Sequence, residues 1–225
     1  MSRRFLLLPT LLALGFLPAV HGQNLIFNGD FELPPHAPDS TMTGWMVGGT
    51  GHIHSINEGS TSGIYSAAFN IGHDSQGTTL SQMFATVSGT TYQVDFDSGI
   101  YGQRNDGFLQ MNVQVIDSAS STVLLNKTIT PPDAMTFDGG LVQFQHYQFT
   151  FTAASGSATI RFTDVGGMNA SADTLVDTVS VIQAPATPAT GQAPPPLTDR
   201  GVTRRIAQTR SPAETTARIS GPVAR

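Results

Sequence analysis

Between Gln23 and Gln183 the apolar residues recur at every second position and never settle into the three-and-four spacing of a helix. "TYQVDFD", "FLQMNVQVI", "LVQFQHYQFTFTA", "ATIRFTDV" and "TLVDTVSV" all alternate in this way, with Gly, Asn, Asp and Ser clustered between them. Alternation is the signature of strands that bury one face and leave the other in water. A run of such strands punctuated by turn residues predicts an all-β fold, an antiparallel jelly-roll β-sandwich.

Two runs carry misfits. In "LVQFQHYQFTFTA" Val142 and Phe144 fall out of phase with Tyr147, Phe149 and Phe151, which predicts a β-bulge near Gln145 and His146. In "TLVDTVSV" a strict alternation puts Asp177 on the face of Leu175, Val179 and Val181. A carboxylate there would cost several kcal/mol to remove from water unless a cation or several donors met it.

The two ends read differently from the middle. Arg3 and Arg4 precede an apolar run from Phe5 to Val20, and Val20-His21-Gly22 offers the small residues of a cleavage site. Residues 1–22 are expected to be a signal peptide, and the run is too short and too interrupted by Pro9 and Pro18 for a membrane anchor, so no transmembrane segment should survive processing. The protein is then expected outside the cytoplasm, secreted, periplasmic or at the cell surface. The last 42 residues, 184–225, open with "PATPATGQAPPP" and lack a period or a stock of large apolar side chains. A disordered tail is expected there.

Residues 23–183 hold 14 acids against three basic residues, Arg104, Lys127 and Arg161, while the tail holds six Arg against two acids. The body repels phosphate backbones, so nucleic acid is not an expected partner; the tail could touch an acidic polymer or serve as a solubilising linker. Cysteine is absent, which excludes disulfides, thiol catalysis and cysteine-held zinc.

The candidate chemistry lies in three places. Near the start, "QNLIFNGDFELP" sets Asp30 and Glu32 around the core anchor Phe31. If the first and last strands are neighbours, Glu32 approaches Asp177 with no Lys or Arg at hand, and a structural calcium with its demand for six to eight oxygens would resolve the repulsion; Asp30 and Glu58 are the further candidate ligands. The alternative is that these acids accept backbone hydrogen bonds. Second, combs of amides and acids repeat along the central strands: Gln93, Asp95 and Asp97, then Gln110, Asn112 and Gln114, with Gln143 and Gln145 beginning a third. Groups about 7 Å apart suit the hydroxyls of a sugar chain, or are simply a solvated face. Third, the loop "GIYGQRNDGF" supplies Tyr101, Arg104, Asn105, Asp106 and Phe108, a mixture able to stack on a pyranose and bond its rim. Trp45 is expected in the core. His52 and His54 share one strand face but lack a third ligand, and His73 and His146 stand alone. Asn126-Lys127-Thr128 and Asn169-Ala170-Ser171 fit the glycosylation sequon.

The order of "NLIFNGDFE", "GW", "GIYSAAFN", "LSQMFATVSGTTYQVDFD" and the closing "VDTVSV" resembles the galactose-binding-like jelly roll. More specifically it resembles the domain-of-unknown-function family shared by plant cell-wall proteins and bacterial secreted "choice-of-anchor" proteins. The resemblance implies a kinship with xylan- and glucan-binding modules, in which the Glu after that Phe and the closing Asp hold a calcium; here these are Glu32 and Asp177. The basic-capped sorting helix with which bacterial relatives often end is not in this sequence.

Two functions follow as expectations. One is a secreted non-catalytic domain binding a cell-wall or matrix polysaccharide. The other is a structural or adhesion protein of the cell surface or matrix, binding another protein or an acidic polymer. A glycoside hydrolase is disfavoured, because Asp95 and Asp97 stand side by side on one strand instead of flanking a bond, and no nucleophile elbow is present.

Overall fold

In the computed structural model, residues 22–36, 42–69, 76–102, 109–132, 141–167 and 172–185 are described. They form ten strands in two five-stranded sheets, every pairing antiparallel. The first sheet, A, runs β1 (Met46–Gly48), β4 (Thr79–Ala85), β9 (Ser157–Asp164), β6 (Met111–Asp117), β7 (Val123–Ile129) across its width. The second, B, runs β2 (Ile53–Ile56), β3 (Ser66–Phe69), β10 (Ala172–Gln183), β5 (Thr91–Gly102), β8 (Gln145–Thr152). The jelly-roll sandwich expected from the alternation is the fold observed. Residues 1–21 and 186–225, read as signal peptide and tail, lie outside the described residues.

The alternation works as physics requires. Tyr92, Val94 and Phe96 of β5 meet Met111, Val113 and Val115 of β6 and Ile160 and Phe162 of β9 in one core between the sheets. Phe96 packs edge-on to Phe162 at 5.2 Å between centroids and stacks on Tyr147 at 5.4 Å. Trp45 is in this core as expected, its indole N–H donating to the Asn28 carbonyl at 2.8 Å, with Phe31 5.4 Å from its ring. Asn28 and Phe31 sit at positive φ, so "NGDF" is a tight turn that drives Phe31 inward.

The first and last segments are neighbours. Leu25 N–H donates to Val181 O, Asn24 bonds both Val179 O and Val181 N, and Val179 N–H donates to Gly29 O at 2.8 Å. Gly29 is obligatory, because a Cβ there would lie 2.0 Å from the Val179 carbonyl oxygen.

Both phase misfits resolve differently from expectation. β8 pairs with β5 in unbroken register from Gln145–Ser98 to Thr152–Thr91, so the bulge expected near Gln145 and His146 is absent. The strand simply begins at Gln145, and Val142 and Phe144 cross the outer side of Gly99 instead. The bulge falls in β10, where the register with β5 shifts between Asp177 and Ser180 and Thr178 takes a φ of 53°. Asp177 therefore does not share a face with Val179 and Val181. Those two valines enter the core, while Asp177 and Leu175 face outward.

Candidate functional site

The registers decide which polar groups meet. Gln93, Asp95, Asp97 and Tyr101 alternate with the core residues of β5, so they project from the outer face of sheet B. β8 sets Gln148 beside Asp95 and His146 beside Asp97. Asp95 accepts hydrogen bonds from Gln93 and Gln148, each at 2.8 Å, and its Oδ1 lies 3.4 Å from His146 Nε2. His146 Nδ1 is 2.8 Å from Asp97 Oδ1. His146, which stood alone in the sequence, thus bridges two carboxylates from the next strand; only the strand pairing reveals it. The carboxyls are 12% and 17% exposed and the imidazole 59%, a polar floor with one raised ring.

Further along the same face the environment changes. Tyr101 is opposite Asp173 of β10, and burial, followed by the charges of Glu58 and then Asp173, pushes its phenol up. Burial, and then the charge of Glu58, raise the Asp173 carboxyl to about 7. Between this end and the polar floor, Val142 and Phe144 pack over Gly99, where a Cβ would come within 2.8 Å of both Val142 Cγ1 and Gln143 O. Val142 also meets Gly59, which lies near Leu175. Leu175 is fully buried outside the main core, beneath this strap.

The comb of Gln110, Asn112 and Gln114 is elsewhere. Asn112 and Gln114 alternate with Met111, Val113 and Val115 and project from the outer face of sheet A, on the opposite side of the sandwich from Asp95 and Asp97. Gln110 precedes β6 and bonds Thr130. The two combs therefore lie on opposite faces of the sandwich, since the core passes between them. Arg104, Asn105, Asp106 and Phe108 lie outside the described residues, and of the candidate residues in that stretch only Tyr101, at the end of β5, is placed.

Of the four expected calcium ligands, two come together. Glu32 Oε1 accepts the N–H groups of Ile64 and Tyr65, both at 2.6 Å. Asp177 Oδ2 accepts from Thr61 N at 2.6 Å, Ser62 N at 3.0 Å and Thr61 Oγ1 at 3.1 Å, and Oδ1 accepts from Thr178 N at 2.6 Å. Both acids therefore seize one short segment, 61–65, in which Gly63 at φ 63° leaves room for the Glu32 carboxyl. Asp30 and Glu58 do not join them: Asp30 is exposed beside the Thr178 bulge and Glu58 faces Asp173 and Tyr101. Among the described residues no group of three or more His, Asp or Glu is arranged to hold a metal.

Asp177 is wholly buried, and burial pushes its carboxyl up even though four hydrogen bonds work against that rise. The described cations are occupied elsewhere, Lys127 over the Phe149 ring and Arg161 on Gln114. What the pair retains for a hard cation is Glu32 Oε2, which no described donor reaches, and the second lone pair of Asp177 Oδ1. Carboxylate oxygens are the kind of ligand calcium takes, and an ion there would need at least four further oxygens.

Solved structures show the same architecture. TmCBM61, a carbohydrate-binding module solved in complex with β-1,4-galactotriose, superposes with a TM-score of 0.50 at 16% identity, over 72% of this chain and 99% of that one. The arabinose-bound α-L-arabinofuranosidase MgGH51 superposes with a TM-score of 0.50 at 15% identity, over 72% of this chain and 26% of that enzyme. The chain is therefore an antiparallel jelly-roll β-sandwich of the kind found in carbohydrate-binding modules. No protein-family profile matches the sequence. No curated protein matches it either.

Proposed function

We propose that the protein is a non-catalytic carbohydrate-binding domain, exported by residues 1–22, whose site is the outer face of sheet B. The observation that carries this is the preset hydrogen-bonding floor of Gln93, Asp95, Asp97, His146 and Gln148, held by its own bonds before any ligand arrives. Carboxylates and amides fixed in this way take paired sugar hydroxyls with little further loss of side-chain entropy. Tyr101 stands at the far end of the face as an aromatic surface for a ring. Catalysis has no support in the same residues: Asp95 and Asp97 point the same way and share His146, with no space for a glycosidic bond between them. The fold shared with a galactotriose-bound module makes a neutral β-linked polysaccharide the first ligand class to test.

Titration of the full chain with β-1,4-galactan, xylan and β-glucan oligosaccharides tests the reading. Binding to at least one, weakened about tenfold or more in Asp97→Asn and Gln148→Ala, is the expected result. No binding to any, or binding indifferent to both substitutions, overturns it and favours the structural or adhesion reading. N-terminal sequencing of the exported protein should begin at Gln23.

A calcium ion held between Glu32 and Asp177 belongs to the same proposal. It is supported by two carboxylates from opposite ends of the chain meeting one segment without a described Lys or Arg. With calcium at 100 times its dissociation constant, the added stability is about 2.7 kcal/mol, or roughly several degrees of melting temperature. A chelator that leaves the midpoint unmoved removes the ion.

A further inference from the structure

The two outer faces carry opposite electrostatics, and the face not assigned above has a site of its own. Sheet B's strands bear four acids, Asp95, Asp97, Asp173 and Asp177, and no Lys or Arg. On sheet A the side chains that alternate outward are Met46 on β1; Thr79, Ser81 and Met83 on β4; Thr159, Arg161 and Thr163 on β9; Asn112, Gln114 and Ile116 on β6; and Asn126 and Thr128 on β7. None of these is an acid. Asp117 and Asp164 close the ends of their strands and are buried, Asp117 held in its turn by Ser120 and Ser155. Arg161 occupies the central strand of this face, between Ser81 and Gln114.

Arg161 is also wired into its surroundings. Its Nη2 donates to Gln114 Oε1 at 2.5 Å, Gln114 Nε2 reaches Asn126 Oδ1 at 3.4 Å, and Asn112 Nδ2 reaches Asn126 Oδ1 at 2.8 Å and Thr128 Oγ1 at 3.3 Å. The amides of β6 and β7 thereby line up across the sheet from one half-buried guanidinium, whose Nε–H is buried without a partner among the described residues, so that the Nη end is what it offers to a ligand. We propose that this face binds a carboxylate-bearing polysaccharide, a polyuronate, with Arg161 receiving the carboxylate and Gln114, Asn112 and Asn126 bonding the hydroxyls.

Charge decides the ligand class. A guanidinium fork matches a carboxylate in shape and sign, and a charge-assisted bond is about twice as strong as a neutral one. The acids of sheet B do not veto this. Those side chains project away from sheet A on the opposite side of the sandwich, where salt screens exposed charges beyond about 8 Å. The same polyuronate laid on sheet B would meet Asp95 and Asp97 directly. The inference is independent of the sheet B reading, because it uses a different face and a charged ligand.

The Arg-rich tail could bind polyanions too, so the experiment uses the full chain with Arg200, Arg204, Arg205, Arg210, Arg218 and Arg225 all replaced by Gln. The probes are tetragalacturonate and its methyl ester, titrated calorimetrically at low and at physiological salt. The expected result is that the tail-substituted chain still binds tetragalacturonate and binds the ester about tenfold more weakly. Adding Arg161→Gln should lower tetragalacturonate affinity about tenfold or more, as should Ser81→Asp, which sets an acid beside an intact Arg161 and guards against a folding defect in the first variant. Asp97→Asn should leave it unchanged. Loss of all binding with the tail substitutions, equal binding of acid and ester, or indifference to both sheet A substitutions would each overturn the proposal.

Discussion

The outer faces of sheets A and B each come from five antiparallel strands, yet one is a solvated comb and the other is half roofed. On sheet A the amides bond one another in the open, and Met46 and Met83 remain 72% and 68% exposed. On sheet B the 61–65 segment and the Val142–Phe144 strap cover Asp177, Leu175 and Gly99, while the polar groups beside β8 and at the Tyr101 end stay accessible. Burying part of a second face costs the sheet a carboxylate that must be satisfied internally, and in return it fixes the loops around the remaining polar floor. A solvated face needs no such device, so its residues are free to be shaped by a ligand.

The largest expected difference between the faces is packing. Leu175→Ala removes a fully buried side chain beneath the strap and should cost about 2–5 kcal/mol, whereas Ile116→Ala on sheet A should cost under about 1 kcal/mol, both read from urea midpoints. Equal losses would mean that the strap does not seal Leu175.

Asp177→Ala should follow. It leaves the N–H groups of Thr61, Ser62 and Thr178 without their acceptor, at roughly 1–3 kcal/mol for the set's least exposed member alone. Faster amide exchange confined to 61–65 would show that the segment is held by this carboxylate. Unchanged exchange there would remove the acid from that role.

The acidic end of sheet B sharpens the comparison through pH. Asp173 titrates near 7 and the buried Asp164, raised by desolvation, near 6. Because both folded values exceed the unfolded one, the folded state binds more protons between about pH 4 and pH 7, so stability is highest below that window and falls as pH rises through it. Asp173→Asn should therefore raise the melting temperature by a few degrees at pH 8 and leave it unchanged at pH 4. A gain of equal size at both values would put the effect in packing.

The smallest effect belongs to His146→Ala. Its imidazole is 59% exposed, so losing its contacts with Asp95 and Asp97 should cost about 0.2–1 kcal/mol of stability. The same substitution should weaken glycan binding several-fold if the floor is the site. A variant that destabilises without touching binding would separate the two roles.

Much of the site was legible, but only in pieces. The polar combs, Tyr101, Glu32 and Asp177 stand out because a strand's exposed positions can be counted, and an acid in an apolar run is conspicuous. His146 gave no such signal, since its partners Asp97 and Asp95 lie 49 and 51 positions away and meet it only through the β5–β8 register. Asp30 and Glu58 were grouped with the wrong acids for the same reason, sequence proximity to a turn carrying no information about which strand end the turn approaches.

By itself the sequence determined the class of structure: two-residue periodicity admits strands alone, and the absence of cysteine leaves the apolar core to hold them. It also determined that whatever covers Asp177 must supply hydrogen-bond donors or a cation. Tertiary structure decided which sheet each comb belongs to and how the two misfits end, one in a strand that starts late and the other in a bulge at Thr178. The reason is that alternation fixes the relative phase of side chains along one strand, whereas the side of the sandwich on which a strand's polar face emerges depends on pairings made across the whole chain.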